Sequence, residues 1–250
     1  MRLLEAQMRT TNPVLNAKTF ANVKRVEGTP VMTLEGTVNR TAFLLLILMA
    51  TATWTWMEAF IGTPVNGYLF VGLLGGFAVG LVTVFAPGLA KFTAPMYAAL
   101  EGLALGAISA IYEAQFKGIV IQAVGLTFGV LLALLVVYRL RIIPVTENVK
   151  LGICAATGAL AIFYLVAIGL SFAGIRIGML HEGTPLGIGF SLFVIIIAAL
   201  NLVLDFDFIE QGVEHGAPKH MEWYAAFGLV VTLIWLYVAI LRLLSKLRSR

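Results

Sequence analysis

The residues best suited to chemistry lie in a short acidic stretch, Asn201 to Gly216, which follows a long apolar run beginning near Gly187. Its carboxylates are Asp205, Asp207, Glu210 and Glu214. Carboxylates are costly within a bilayer, so acids at the end of a spanning run indicate a functional site. Such groups can hold and release protons, and their oxygens are ligands for a hard cation such as calcium.

Helical geometry divides these acids between two faces. Positions 207, 210 and 214 share one face, whereas Asp205 points nearly opposite, beneath Asn201. At about 1.5 Å per residue from Gly187, Asp205 and Asp207 lie roughly 27 and 30 Å along the helix, at the inner edge of a hydrocarbon core about 30 Å thick. We therefore expect Asp205 and Asp207 to form the site, and Glu210 and Glu214 to be solvated.

A further carboxylate, Glu101, lies inside an earlier apolar run, beside Gly102. It is about 9 Å along the helix from Pro95, where we expect that helix to start. Two interpretations stay open: a titrating group that works with the aspartates, or a protonated residue that hydrogen-bonds a neighbouring helix. Opposite helix directions predict one level for Glu101, Asp205 and Asp207, and hence a cluster.

The composition indicates the class of protein that carries these acids. Of the 250 residues 60% are hydrophobic and only 12% are charged, which is too apolar for a soluble domain. The sequence predicts an all-α, polytopic membrane protein with an N-terminal arm (1–40), a transmembrane domain (41–243) and a basic tail (244–250). The predicted spans cover residues 41–61, 67–86, 95–112, 119–138, 151–173, 187–208 and 223–243.

The distribution of Lys and Arg predicts the orientation. Most of them lie in the arm and in loops on the same side of the membrane as the arm, which places the N-terminus in the cytoplasm. Seven spans then put the C-terminus outside, although its basic tail favours the opposite side. The length of the seventh run supports a full crossing.

Motifs of membrane enzymes and of cofactor sites are missing, so we expect no enzyme activity and no cofactor. The sequence around Ser191, GFSLF, lacks the glycine that follows a nucleophilic serine. The pair His181-Glu182 does not continue as a zinc motif, and His215 with His220 lacks a third ligand. No basic patch with interleaved aromatics suggests nucleic acid.

Three segments resemble the bacterial branch of the Bax inhibitor-1 family of membrane proteins. They are VMTLEGTVNRTAFLLL, FTAPMYAALEGLALGAISAIYE and GIGFSLFVIIIAALNLVLDFDFIEQG. The resemblance implies a location in the bacterial inner membrane and a fold in which six helices surround a seventh. It also implies a proton-sensitive calcium leak, with a latch formed by one aspartate at the inner end of helix six and another in helix seven.

The first latch position matches Asp207 or Asp205, whereas Thr232 stands where the resemblance places the second aspartate. Three alternatives stay open: Asp205, Asp207 and Glu101 form a different carboxylate cluster, Glu222 takes the second role, or this branch of the family is not gated in this way. Carboxylates in one low-dielectric site cannot all ionise cheaply, so one keeps a proton. The resemblance implies that the protonated state is the closed one, so Asp207→Asn should lower flux at neutral pH. Asp205→Asn should have a smaller effect, and Thr232→Asp should strengthen the pH response.

Two functions follow from these observations. The acids at the inner end favour a pH-sensitive leak for calcium or another cation, with calcium bound at Asp205 and Asp207. The polar arm favours a non-conducting regulator that binds a membrane protease or stress-response protein. The lipid bilayer is the partner common to both.

Overall fold

The computed structural model describes residues 30–142, 145–174, 178 and 183–249. Within them, seven helices are long and apolar enough to cross a membrane, which confirms the predicted all-α, multi-pass protein. We number them α1 (Leu34–Phe60), α2 (Asn66–Phe85), α3 (Ala90–Gln115), α4 (Ile119–Arg139), α5 (Glu147–Phe172), α6 (Pro185–Glu214) and α7 (Met221–Arg248).

Several helices extend beyond the predicted spans. Helix α1 begins inside the predicted arm, where the Thr33 hydroxyl accepts a hydrogen bond from Gly36 N, as an N-cap residue does. The predicted start of α3 at Pro95 is wrong, because the helix already begins at Ala90, after a 3₁₀ turn. Proline near a helix start removes only one backbone hydrogen bond, so the chain stays helical through it.

Helix α7 contacts several other helices of the bundle. It packs against α1, α3, α4 and α6, and these four also contact one another in the cyclic order α1, α3, α4, α6. Helix α2 lies outside this ring on α3 and reaches α7 where Phe227 approaches Gly80. Helix α5 lies outside it on α6, where Tyr164 stacks beneath Arg242 of α7. The fuller arrangement, with six helices around the seventh, stays a prediction.

Small residues bring α3 close to both α1 and α2. A Cβ atom added to Gly72 of α2 would lie 2.6 Å from the Leu100 carbonyl oxygen, and one added to Gly102 of α3 would collide with Thr51 of α1. Apolar burial does not drive helices together in lipid, so such close packing supplies much of the association energy. The packing fixes the position of Glu101, which adjoins Gly102.

The two ends of the bundle are tied by contacts between distant parts of the chain. At the proximal end, where α1 and α7 begin, Met32 N donates to Ala217 O at 2.6 Å and Lys219 N donates to Pro30 O at 3.0 Å. At the distal end, the Arg248 guanidinium donates to Lys117 O at 2.7 Å. Helix α7 therefore crosses the whole bundle and does not turn back.

Candidate functional site

The proximal end of α6 is joined to α5 by an ion pair between Asp207 and Lys150. Their carboxylate oxygen and ammonium nitrogen are 2.8 Å apart, and the Lys150 side chain is only 3% exposed. Gln211, one turn later, donates to the same carboxylate at 2.7 Å. Asp207 thus has a cation as its partner, which is the opposite of the proton-sharing acid pair expected from the sequence.

Lys150 owes its position to the way α5 begins. Thr146 caps the helix by accepting a hydrogen bond from Val149 N, and Lys150 follows in the first turn. Glu147 lies three residues earlier, with its carboxylate 3.3 Å from the Lys150 ammonium. The buried lysine therefore lies between two carboxylates, which compensate much of the cost of burying its charge.

Asp205 faces the interior of the bundle and is 1% exposed. One turn before it, Asn201 donates to Thr157 of α5 and to Ile197 O, both at 2.8 Å. The prediction that Asp205 and Asp207 point to different sides of the helix is confirmed. Asn201 holds α5 and α6 together and so has a structural task.

Glu101 lies near the middle of α3, and its carboxylate is directed at Gly76 of α2. A side chain at position 76 would occupy the same space, since an added Cβ would be 2.6 Å from Glu101 Oε1. Among the described residues the Glu101 carboxylate has neither a hydrogen-bond donor nor a cation as partner. The predicted hydrogen bond to a neighbouring helix is therefore not formed.

Glu101 and Asp205 lie at similar depth but on opposite sides of α7. Tyr97, one turn before Glu101, contacts the Phe227 ring with centroids 4.8 Å apart, which places Glu101 near residue 231. Ser191 of α6 contacts Lys246 of α7. Asp205 follows Ser191 by as many residues as Thr232 precedes Lys246, and the two helices run in opposite directions. Asp205 and Thr232 therefore lie at the same depth. The predicted three-acid cluster is not formed, because α7 separates α3 from α6.

Thr232 is buried in α7, and its hydroxyl donates to Gly228 O in its own helix at 3.2 Å. Thr232 lies at a similar depth to Glu101 and Asp205. The depth is counted from two contacts of α7, that of Lys246 with Ser191 and that of Phe227 with Tyr97. Its role as the stand-in for a second aspartate stays a prediction.

Glu222, the other candidate for the second latch position, joins α7 to the start of α1. It is fully buried, accepts hydrogen bonds from Thr33 N at 3.0 Å and from the Thr33 hydroxyl at 2.9 Å, and pairs with Arg40 at 2.5 Å. Lys219 lies 3.7 Å away. With these cationic partners, Glu222 holds the start of α7 against the start of α1. This geometry does not support proton sharing between Glu222 and Asp207.

Glu210 is exposed, as expected for an acid at the solvated helix end, but its carboxylate also accepts a hydrogen bond from the Tyr138 hydroxyl of α4. Glu214, at the end of α6, is exposed. The acids of α6 therefore reach α5 and α4, while Asp205 faces inward. They connect helices at the proximal end.

Sequence reasoning missed Lys150 as the partner of Asp207. Lys150 lies just before the predicted span 151–173 and so was treated as a loop residue. A signal was present: Glu147 and Lys150 are three residues apart at the start of an apolar run, the spacing of neighbours on one helix face. Their contact with α6 depends on helix packing, which the pattern alone does not provide.

Calcium at Asp205 and Asp207 stays a prediction. No group of three His, Cys, Asp or Glu side chains in the described ranges is close enough to hold a metal ion. Asp205 is buried, whereas Asp207 is paired with Lys150 and Gln211. Bound calcium would need backbone or amide oxygens in addition.

Ser191 meets a buried lysine at the distal end of α6. Lys246 donates to the Ser191 hydroxyl at 2.9 Å and to Gly187 O at 3.0 Å, and the serine itself donates to Gly187 O at 3.0 Å. Both side chains are at most 6% exposed. The lysine thus joins α7 to α6 at the distal end.

The comparisons with known proteins identify the family. The family model described as Bax inhibitor 1 like matches residues 12–249, nearly the whole chain. No curated protein matches the chain. The matched range contains all seven helices and every candidate residue described above. The chain therefore belongs to the Bax inhibitor 1 like family of membrane proteins.

Proposed function

We propose that this protein is a pH-sensitive leak for calcium or a related cation in the bacterial inner membrane, with its N-terminus in the cytoplasm. The observation that carries the proposal is the Glu101 carboxylate, which lies in mid-helix without a hydrogen-bond donor or cation among the described residues. An ionisable group inside a membrane span is costly unless it serves a function. It is therefore the natural place for a proton or a passing cation.

Two further features support the proposal. Asp205 provides a second buried carboxylate at similar depth, across α7 from Glu101. The Asp207–Lys150 ion pair joins α6 to α5 at the proximal end and is suited to hold that end closed. Protonation of Asp207 would remove the attraction, so acidification would release α5 from α6 there.

The test is calcium flux into liposomes that contain the purified protein and an enclosed calcium dye, measured across a pH series. We expect Glu101→Gln to reduce flux by about tenfold, equivalent to ~1.4 kcal/mol in the barrier, and to flatten its pH dependence. Glutamine retains the size of the side chain, so the melting temperature should not change. The matched control is Glu58→Gln, at the exposed end of α1, which should behave like the parent.

Flux through Glu101→Gln that follows the parent at every pH would exclude Glu101 from conduction. If the parent protein itself carries no calcium at any pH, the second candidate, a non-conducting regulator, is favoured. The observation behind that candidate is the attachment of residues 30–33 to Ala217, Lys219 and Glu222. These contacts hold the start of the described chain at the proximal end of the bundle, the end that we propose faces the cytoplasm.

A further inference from the structure

A lateral groove opens in the distal half of the bundle, between α1 and α4. Its volume is about 410 Å³, within the range of ligand pockets, and its floor is formed by α3 and α7. The walls include Ala52 and Trp56 of α1 and Val124 of α4. Met49 and Ile121, which also line it, are 47% and 72% exposed, so the groove opens toward the surroundings of the bundle.

The position of this distal groove determines what surrounds it. Its walls come from the last part of α1 and the first part of α4, which both lie at the distal ends of spanning helices. The medium outside is therefore the hydrocarbon of the distal leaflet. An unfilled space there loses dispersion contacts on every lining atom, so an apolar occupant is favoured.

The interior of the distal groove suits a hydrocarbon chain. Two of its polar floor groups, the Ser109 and Tyr237 hydroxyls, are hydrogen-bonded to each other at 2.7 Å, and the Glu113 carboxylate, which also lines it, accepts hydrogen bonds from Gly118 N and Val120 N. A transmembrane helix of a partner protein, about 10–12 Å across, is too wide for a space of this volume. A single acyl chain, which is much narrower than a helix, suits a space of this volume.

The rim of the distal groove carries the charge that would receive a lipid headgroup. Arg248 lies over the start of α4, where its guanidinium donates to Lys117 O at 2.7 Å and to Gln122 Oε1 at 2.9 Å. Lys117 is exposed beside it. The acid at this rim, Glu113, is held by Gly118 N and Val120 N at the helix start. Lys117 and Arg248 thus place two cations beside the start of α4.

We propose that the distal groove binds one phospholipid with an anionic headgroup, with an acyl chain between α1 and α4 and the phosphate beside Lys117 and Arg248. The apolar walls select a hydrocarbon chain, and the basic rim selects negative charge. The bound lipid would cover the α3 and α7 surfaces that no helix covers. This binding is independent of ion conduction.

The test is native mass spectrometry of the detergent-solubilised protein, titrated with phosphatidylglycerol or with phosphatidylcholine of the same acyl chains. We expect one tightly held phosphatidylglycerol. Arg248→Gln should weaken its binding about fivefold to tenfold, whereas Arg242→Gln, on the face beside Tyr164, should not. Val124→Phe, which fills the distal groove, should abolish retention, and Leu126→Phe, outside it, should not.

A second measurement uses the wild-type chain and so does not depend on a variant folding. Phosphatidylglycerol with brominated acyl chains should quench the tryptophan emission of the protein, through Trp56 in the distal groove, at one equivalent of lipid and more strongly than brominated phosphatidylcholine does. Equal quenching by the two lipids, equal retention of both, or unchanged binding in a folded Val124→Phe variant would overturn the proposal.

Discussion

The Asp207 carboxylate lies 2.8 Å from the Lys150 ammonium and so joins α6 to α5 at the proximal end of the bundle. The sequence suggested that Asp207 shares a proton with another acid, a contact that is lost when the proton leaves. An ion pair responds in the opposite direction. Its attraction is present while the aspartate is ionised and is lost as the pH falls and the carboxylate becomes protonated.

Asp207→Asn should therefore loosen the proximal end. It leaves the buried Lys150 with only Glu147 as a counter-charge, and we expect the free energy of unfolding to fall by roughly 1–3 kcal/mol, between the values for exposed and buried pairs. If the protein conducts, calcium flux at neutral pH should rise, where the sequence alone predicted a decrease. Denaturant unfolding in detergent measures the first effect and proteoliposome flux the second.

Two variants make this prediction specific. Glu214→Gln, at the exposed end of the same helix, should leave stability within about 0.5 kcal/mol of the parent. Combining Asp207→Asn with Lys150→Met should recover most of the lost stability, because no buried charge then remains. A double variant that is less stable than Asp207→Asn alone would show that the ion pair is not the reason.

Much of this fold is encoded locally, and so the sequence predicts it. Apolar runs long enough to cross a bilayer predict seven helices. Because Asp205 and Asp207 are two residues apart on one helix, their side chains are predicted to point to different sides. The partners of these acids are set by helix packing. Lys150 and Asp207 are 57 positions apart in the chain, and Glu101 faces Gly76 because glycine leaves room there. No pattern in the local sequence predicts such contacts.

Glu222 should be essential to the stability of the proximal end. The variant Glu222→Gln retains an oxygen for the Thr33 hydrogen bonds but loses the charge that pairs with Arg40 at 2.5 Å. Because the site is fully buried, we expect a loss of about 3–5 kcal/mol in unfolding free energy. Trp223 emission should change as well, since the Arg40 guanidinium lies 5.2 Å from its ring.

The control for this prediction is Glu35→Gln, an exposed acid in the first turn of α1, which should cost no more than about 0.5 kcal/mol. The role of Glu222 in stability would be contradicted by a Glu222→Gln protein that unfolds at the same denaturant concentration as the parent and has the same tryptophan spectrum.

Gly102→Ala should disrupt the contact between α3 and α1. The added methyl group would collide with the Thr51 hydroxyl and with the Leu48 carbonyl, a backbone atom that cannot move aside. We expect a loss of roughly 1–3 kcal/mol. The matched control is Gly125→Ala in α4, where the methyl group meets no atom within 4 Å; higher helix propensity should make that variant neutral or up to about 1 kcal/mol more stable. Equal melting temperatures for the two variants would refute the close contact.

The last prediction concerns the side of the membrane on which each end of α7 lies. The described residues place His215 at the proximal end and Ser249, just after α7, at the distal end. The excess of Lys and Arg on the proximal side predicts that this end is cytoplasmic. Position 181, also expected outside, lies beyond the described residues.

The measurement is labelling of intact cells with a membrane-impermeant maleimide, using single cysteines introduced as His215→Cys and Ser249→Cys. The native Cys154 is exposed on the bundle, so it is first replaced by alanine. Position 249 should label in intact cells, and position 215 only after permeabilisation. The reverse pattern would invert the orientation while preserving the fold. Labelling of both positions only after permeabilisation would place both ends of α7 on the cytoplasmic side, which seven complete crossings do not allow.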